Sequence, residues 1–141
     1  SLSQSHSTIL GFTGTQLGMS IKQGLGVLHF IEMRKPWVFH HGDCVGADEK
    51  AATIARDLGA FIVGHPPINP KKRCFFPSDE ERPMKEYLAR NRDIVDDTES
   101  LLATPSGPEE LRSGTWSTVR YAVKQGKPVT IIYPDGREET R

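Results

Sequence analysis

Five short runs of apolar, β-forming residues alternate with helical patterns along the 141-residue chain. This alternation is typical of a parallel sheet covered on both faces, because each crossover between parallel strands places a helix against the sheet. The sequence therefore predicts an α/β fold. The predicted strands are residues 8–12, 37–40, 61–63, 101–103 and 129–133.

The handedness of the crossovers limits the order of these strands. Right-handed connections most simply give the order 3-2-1-4-5, which reverses between strands one and four. We therefore predict a single Rossmann-like three-layer domain over residues 7–135, with a mainly parallel five-stranded sheet. Residues 1–6 are predicted to be a flexible lead-in and residues 136–141 a polar tail.

Apolar residues at helical spacing predict the buried faces of the helices. Glycines at positions 59 and 126 mark the ends of two of them. The predicted faces are Leu17, Ile21, Leu25 and Leu28; then Ala47, Ala51, Ile54, Ala55 and Leu58; then Met84, Tyr87, Leu88, Asn91 and Val95; and finally Trp116, Val119, Ala122 and Val123.

Two loops rich in glycine and hydroxyl residues follow predicted strands one and four. Such loops let backbone N–H groups approach an anion, and the positive end of a helix dipole favours negative charge. The predicted topology brings the loops together at one phosphate site, although ordinary capped turns are the alternative. The candidate ligand residues are Gly11, Thr13, Gly14, Thr15, Ser113, Gly114, Thr115 and Trp116. Trp116 is also in phase with Val119 as a core anchor.

The loop after predicted strand two is acidic and would repel phosphate. Carboxylates suit ribose hydroxyls or a base amine, so Asp43 is expected to contact the ligand together with Gly42. His40 and His41 lie at the end of this strand, and one of the two is a candidate hydrogen-bond partner for a base or ribose. Asp48 and Glu49 have the alternative role of complementing the helix dipole.

The helix that follows the long loop carries three further candidates. Asn91 places an amide in an apolar stripe, where it needs either a backbone partner or the ligand. Arg90 and Arg92 flank this amide and could each make forked contacts with a phosphate. The alternative is that both are ordinary surface arginines.

Residues 66–83 form a long irregular stretch with several prolines, which predicts a lid or an interface. Lys71, Lys72 and Arg73 adjoin two phenylalanines, a combination that occurs in single-stranded nucleic-acid modules. The acidic residues 79–81 cancel this charge, and 18 basic residues balance 18 acidic ones over the chain. The balance argues against duplex DNA and anionic membranes as partners.

The two cysteines, Cys44 and Cys74, support neither a disulfide framework nor a CxxC metal site. A zinc site from these cysteines with His41 and His65 matches no standard ligand spacing. We therefore expect no metal, no cofactor and a cytoplasmic location. No apolar run is long enough to span a bilayer.

Five short motifs follow one another along the chain: GFTGT at 11–15, HGDCVGAD at 41–48, RNRDIV at 90–95, SGTW at 113–116 and GKPV at 126–129. Together they resemble the SLOG superfamily, the Rossmann-like group that contains the DNA-processing Smf (DprA) proteins and the LOG phosphoribohydrolases. The resemblance covers residues 8–133 and is greatest to the small stand-alone YspA-like branch.

The resemblance implies a nucleotide or nucleotide-derived ligand, and assembly as a dimer or larger homo-oligomer. In the hydrolase branch a glutamate follows the glycine-rich helix start, whereas this chain has Thr118 there. A hydroxyl cannot supply the acid–base help of a carboxylate, typically worth about 10²- to 10⁴-fold. We therefore expect a sensor or sequestering protein, with cyclic and ADP-ribose-type signals in its ligand class.

Two alternatives to the sensor remain open. The first is an N-glycosidase or phosphoribohydrolase for nucleoside monophosphates, in which Asp43, Asp48 or Glu49 replaces the missing glutamate. The second is a single-stranded nucleic-acid module that uses the loop from Lys71 to Phe76.

Overall fold

The computed structural model describes residues 9–141, so the predicted lead-in of residues 1–6 lies outside the described residues. Strands and helices alternate along the described chain. The strands are β1 (Ile9–Gly14), β2 (Val38–His41), β3 (Phe61–Gly64), β4 (Glu80–Glu81), β5 (Ser100–Thr104), β6 (Val129–Ile132) and β7 (Glu138–Thr140). The helices are α1 (Ile21–Arg34), α2 (Ala47–Asp57), α3 (Tyr87–Asp96) and α4 (Gly114–Lys124).

The described strands form one sheet of the order β4-β3-β2-β1-β5-β6-β7. Its inner five strands are parallel and have the predicted order, which confirms the Rossmann-like fold. The predicted strand number was wrong, because β4 and β7 extend the sheet at its two edges. Both edge strands are short and mainly acidic, so the sequence shows no apolar alternation there. Strand β7 lies within the predicted polar tail.

Apolar residues fill both faces of the sheet. Leu10, Phe12 and Phe39 pack with α1 and α2 on one face. Leu101 and Ile131 pack with α3 and α4 on the other. None of the described helices is long and apolar enough to cross a membrane.

Helix α1 does not bury its predicted apolar stripe. Leu17, Ile21 and Leu25 are 89%, 84% and 61% exposed. The helix instead turns a glycine-containing face to the sheet, where a Cβ on Gly26 would lie 3.1 Å from Ile132. The small face allows a close approach that the leucine face could not make, so the leucines point outward.

Helix α3 also differs from its predicted face. Met84 lies before the helix, and it and Tyr87 are more than half exposed. Ile94 and Val95 are buried in the core, together with the side chain of Arg90. Consequently the N-terminal half of α3 presents its apolar residues to solvent and to the pocket described below.

Candidate functional site

A pocket of about 410 Å³ lies where the strand order reverses. It sits at the carboxyl ends of β1 and β2, beside the start of α4. This is the position at which parallel α/β sheets bind their ligands. The predicted residues that line it are Thr13, Gly14, Thr15, Gly42, Asp48, Arg90, Asn91, Ser113, Gly114 and Thr115.

The start of α4 forms one wall of the pocket. The Ser113 hydroxyl accepts a hydrogen bond from the Trp116 N–H at 3.2 Å and thereby caps the helix. The N–H groups of Gly114 and Thr115 have no acceptor within the helix, as in the first turn of any α-helix. These two donors and the helix dipole can therefore hold a negatively charged group.

The end of β1 forms the facing wall. A Cβ on Gly14 would lie 2.5 Å from the Cβ of Ala47 and 2.6 Å from Thr104 Oγ1, so only glycine fits there. The Thr15 carbonyl accepts the Ala47 N–H at 3.0 Å and ties this loop to α2. The two predicted Gly/Thr loops therefore meet in a single pocket.

Gly11 lies within β1 rather than in the pocket wall. A Cβ there would lie 2.8 Å from Thr98 Oγ1 and 3.1 Å from Ile94. Its small size serves the packing of α3 against the sheet.

Arg90 is buried at the base of the pocket, with 6% of its surface exposed. Its Nη1 donates to the carbonyl oxygens of Gly42 and His65. Among the described residues, Arg90 Nε is a buried donor without a hydrogen-bond partner. Arg92, by contrast, is exposed, lies over the Tyr121 ring and does not line this pocket.

Asp48 is the buried carboxyl group of the pocket. It accepts the Cys44 N–H at 3.2 Å. Burial raises its pKa from 3.8 to about 6, although the Arg90 charge acts in the opposite direction. Asp48 can therefore take up or release a proton near neutral pH.

Asp43 anchors the long loop and does not line the pocket. Its carboxylate accepts Arg73 Nε at 2.6 Å, the Phe76 N–H at 2.8 Å and the Cys74 thiol at 3.1 Å. Its backbone φ is +53°, a left-handed conformation that aspartate tolerates. The side chain is thus fully engaged by protein groups.

His41 and Glu49 also lie outside the pocket lining. His41 is fully buried, and its Nδ1 accepts the Asp43 N–H at 2.9 Å. Its Nε2 then carries the proton and donates to Ser78 Oγ at 3.0 Å. Glu49 is exposed in the first turn of α2, where its charge complements the helix dipole.

The predicted lid, residues 66–83, packs along the edge of the sheet. Its backbone pairs with the loop after β2, since Val45 N–H donates to Lys72 O at 2.9 Å. Arg73 forms ion pairs with Asp43 and Glu81. The side chains of Lys71 and Lys72 are exposed to solvent. Lys72 and Pro67 line the pocket.

Trp116 and Thr118 face the core side of α4. Trp116 is buried among the apolar residues beneath the helix, and its Nε1 donates to Gly107 O at 3.3 Å. The Thr118 hydroxyl donates a hydrogen bond to Gly114 O at 2.8 Å. Neither residue lines the pocket.

The pocket also contains residues that the sequence reasoning did not propose as ligand contacts. Tyr87 lies one helical turn before Asn91, so their shared face was a signal for it. Lys72 was noticed in the sequence as part of a basic segment for nucleic acid, and not as a contact of this ligand pocket. The further members are Phe12, Gln16, Cys44, Pro67, Ile94 and Glu110.

The chain matches no protein-family model and no curated protein sequence. Its fold is similar to that of a molybdenum cofactor binding protein from Rippkaea orientalis, with a TM-score of 0.70, 22% identity, and coverage of 91% of this chain and 77% of that one. The Moco carrier protein from Chlamydomonas reinhardtii has a TM-score of 0.66 and 21% identity, with 89% and 76% covered.

DNA processing protein A from Helicobacter pylori is also similar, with a TM-score of 0.61, 17% identity, and coverage of 93% of this chain and 68% of that one. That protein binds single-stranded DNA. At these identities the likeness concerns the fold alone. The chain therefore has the same Rossmann-like fold as these proteins.

Proposed function

We propose that this protein binds a nucleotide or a nucleotide-derived small molecule in the pocket, as a sensor or sequestering protein. The ligand's phosphate lies against the N–H groups of Gly114 and Thr115, and the loop from Thr13 to Thr15 closes the other side. One observation carries the proposal: both predicted anion loops line the same pocket at the reversal point of the sheet. We also propose that the protein is located in the cytoplasm.

The size and walls of the pocket support a ligand larger than phosphate. Its volume of about 410 Å³ lies within the range of small-molecule sites. The half-exposed ring of Tyr87 offers a flat apolar surface beside the start of α4. Asn91 supplies an amide on the same wall, and Lys72 offers a cation. A planar base can stack on Tyr87 while its phosphate lies against α4.

The fold neighbours support small-molecule binding without defining the ligand. Two of them are named for the molybdenum cofactor that they bind or carry. Native mass spectrometry of the purified protein, before and after addition of nucleotides, cyclic nucleotides and ADP-ribose derivatives, tests the proposal. A retained, unmodified ligand supports a binder, and no added mass from any member of the pool contradicts the proposal.

We further propose that the chain forms a homo-oligomer. The exposed stripe of Leu17, Ile21 and Leu25 is an apolar surface suited to association. The mass of the assembly in the same native spectra decides this point, and a purely monomeric species at micromolar concentration contradicts it.

Thr115→Val is expected to weaken the affinity for the bound nucleotide at least several-fold. Thr115 lines the pocket at the first turn of α4, and valine removes its hydroxyl while keeping its shape. Titration calorimetry with the nucleotide identified by mass spectrometry measures the change. Ser117→Ala, on the same helix but outside this pocket, is the control. Equal affinities for the wild type and Thr115→Val would remove this hydroxyl from the site.

Hydrolysis of an N-glycosidic bond is a second candidate function, and Asp48 favours it. A buried carboxyl group in a pocket, with its pKa raised to about 6, is suited to general acid–base chemistry. In that case the protein would release free base from a nucleoside monophosphate. Asp48→Asn is expected to reduce this release by at least about 100-fold, whereas the exposed Glu49→Gln would retain it. Absence of base release from the wild type would exclude this candidate for the substrates assayed.

A further inference from the structure

Two buried histidines and one carboxylate converge outside the pocket. His40 in β2, His65 directly after β3 and Asp97 directly after α3 each offer one ligand atom, and these atoms lie within 4.8 Å of one another. His40 Nδ1 and His65 Nε2 are 2.8 Å apart. Both imidazoles are buried, with 3% and 2% of their surface exposed. None of the three residues lines the pocket.

A change of tautomer lets both facing imidazole nitrogens serve as metal ligands. One ring now donates its N–H to the other. Movement of that proton to the second nitrogen of its own ring leaves both facing atoms as lone-pair donors, with no net loss of protons.

The spacing requires only a small adjustment for a metal ion. Zinc–nitrogen bonds are about 2.0–2.1 Å, so two imidazole nitrogens of a tetrahedral site lie about 3.3 Å apart. The observed pair must open by about half an ångström relative to its 2.8 Å separation. The Asp97 side chain is 34% exposed and can turn toward the ion.

Carboxylates more than neutralise the guanidinium of Arg82 beside the cluster. Arg82 pairs with Asp97 at 2.7 Å and with Glu80 at 2.7 Å, so two carboxylates surround one guanidinium and leave one net negative charge. If Asp97 turns to a metal ion, Arg82 keeps Glu80 as its partner. Binding of the ion therefore does not leave the Arg82 guanidinium without an anionic partner.

We propose that His40, His65 and Asp97 bind one divalent transition metal ion, with Zn²⁺ as the species that fits the two imidazoles and the carboxylate. Water completes the coordination. The ion joins β2, β3 and the end of α3. It also fixes the segment whose carbonyl, His65 O, accepts Arg90 Nη1 at 3.2 Å at the base of the pocket.

The sequence offered no spacing motif for this site, because its members come from three separate elements. The zinc site considered in the sequence analysis consists of His41, Cys44, His65 and Cys74. Only His65 belongs to both sets. The site is independent of the ligand proposed for the pocket.

Zinc titration of chelator-treated protein tests the proposal by calorimetry and by thermal unfolding. We expect one Zn²⁺ per chain and a higher unfolding temperature with Zn²⁺. Asp97→Asn and His65→Asn are each expected to weaken binding by more than about tenfold, since even outer-shell partners of metal ligands are worth about 10- to 100-fold. His29→Asn changes an exposed histidine on α1 and is the matched control.

The His65→Asn variant changes a buried residue and is at risk of not folding. Asp97→Asn then still tests the site, because the Asp97 side chain lies near the surface. Circular dichroism checks the fold of each variant. Cobalt substitution supplies a further readout: visible bands typical of nitrogen and oxygen ligands support the site, and a thiolate-to-cobalt band overturns it. Absence of zinc binding, or equal affinity in Asp97→Asn, also overturns it.

Discussion

Lowering the pH from 7 to 4 is expected to reduce the free energy of unfolding by at least about 3 kcal/mol. Folding buries three imidazoles in neutral form and lowers their pKa from 6.5, to about 4 for His40 and His41 and about 3 for His65. Burial is the largest cause for each. Nearby positive groups lower the pKa further, with Arg82 acting on His40 and Arg90 on His41.

The free energy of unfolding falls at low pH because the unfolded chain binds more protons than the folded chain. Between pH 6.5 and the folded pKa, each of these histidines binds a proton in the unfolded chain but not in the folded one. Stability is therefore complete above about pH 6.5 and is lost as the pH falls toward 4. A shift of one pKa unit corresponds to about 1.4 kcal/mol, so each histidine alone contributes about 3 kcal/mol over this range.

Asp48 opposes this trend. Its pKa is raised to about 6, so its protonation at lower pH relieves the penalty of burying a carboxylate. The relief amounts to about 2–3 kcal/mol, less than the combined effect of the histidines. Because His40 and His65 share a hydrogen bond, their two contributions are coupled rather than independent.

Urea unfolding at pH 7, 6, 5 and 4, followed by tryptophan fluorescence, measures this dependence. His29→Asn is expected to show the wild-type slope because that side chain is exposed. A free energy of unfolding that stays constant or increases from pH 7 to pH 4 would show that the folded protein accommodates charged imidazoles at these positions.

Asp43→Asn is expected to lower the free energy of unfolding by about 3 kcal/mol at pH 7. The substitution keeps the shape of the side chain and tolerates the positive φ of +53°. It removes the charge that holds Arg73 at 2.6 Å. It also replaces one of the acceptor oxygens used by Arg73, Cys74 and the Phe76 N–H with an NH₂ group.

Glu81→Gln is the matched control for this experiment, because Glu81 pairs with the same guanidinium at 2.8 Å but is 52% exposed. We expect it to change stability by less than about 1 kcal/mol. Chemical denaturation of both variants gives the comparison. Similar small effects for the two substitutions would mean that Asp43 is not the anchor of the long loop.

The inner sheet was predictable because its strands are apolar and separated by helices of ordinary length. The convergence of the Gly/Thr loops followed from that topology, and the pocket contains both of them. The leucine stripe of α1 was misassigned because helical spacing alone does not tell which face packs. The glycine face, supported by Gln23 donating to Pro105 O at 2.7 Å, decides the orientation.

The roles of Asp43 and Arg90 depend on partners far away in the sequence. Asp43 was predicted to contact the ligand because it lies in a polar loop, but its partners come from residues 73–76. Arg90 has the outward features of a surface arginine, yet the carbonyls of Gly42 and His65 hold it inside. The residues next to Asp43 and Arg90 in the sequence do not indicate which distant residues these side chains contact. The ligand roles proposed for Ser113, Gly114 and Thr115 stay predictions.

Amide chemical shifts of the ¹⁵N-labelled protein would place the phosphate directly. The titrants are nucleoside monophosphates, cyclic nucleotides and ADP-ribose, each paired with its phosphate-free counterpart. We expect at least one phosphate-bearing compound to move the amide signals of Gly114 and Thr115, with much smaller shifts from its counterpart. Equal shifts from both members of every pair, or shifts confined to residues outside the pocket, would contradict phosphate binding at the start of α4.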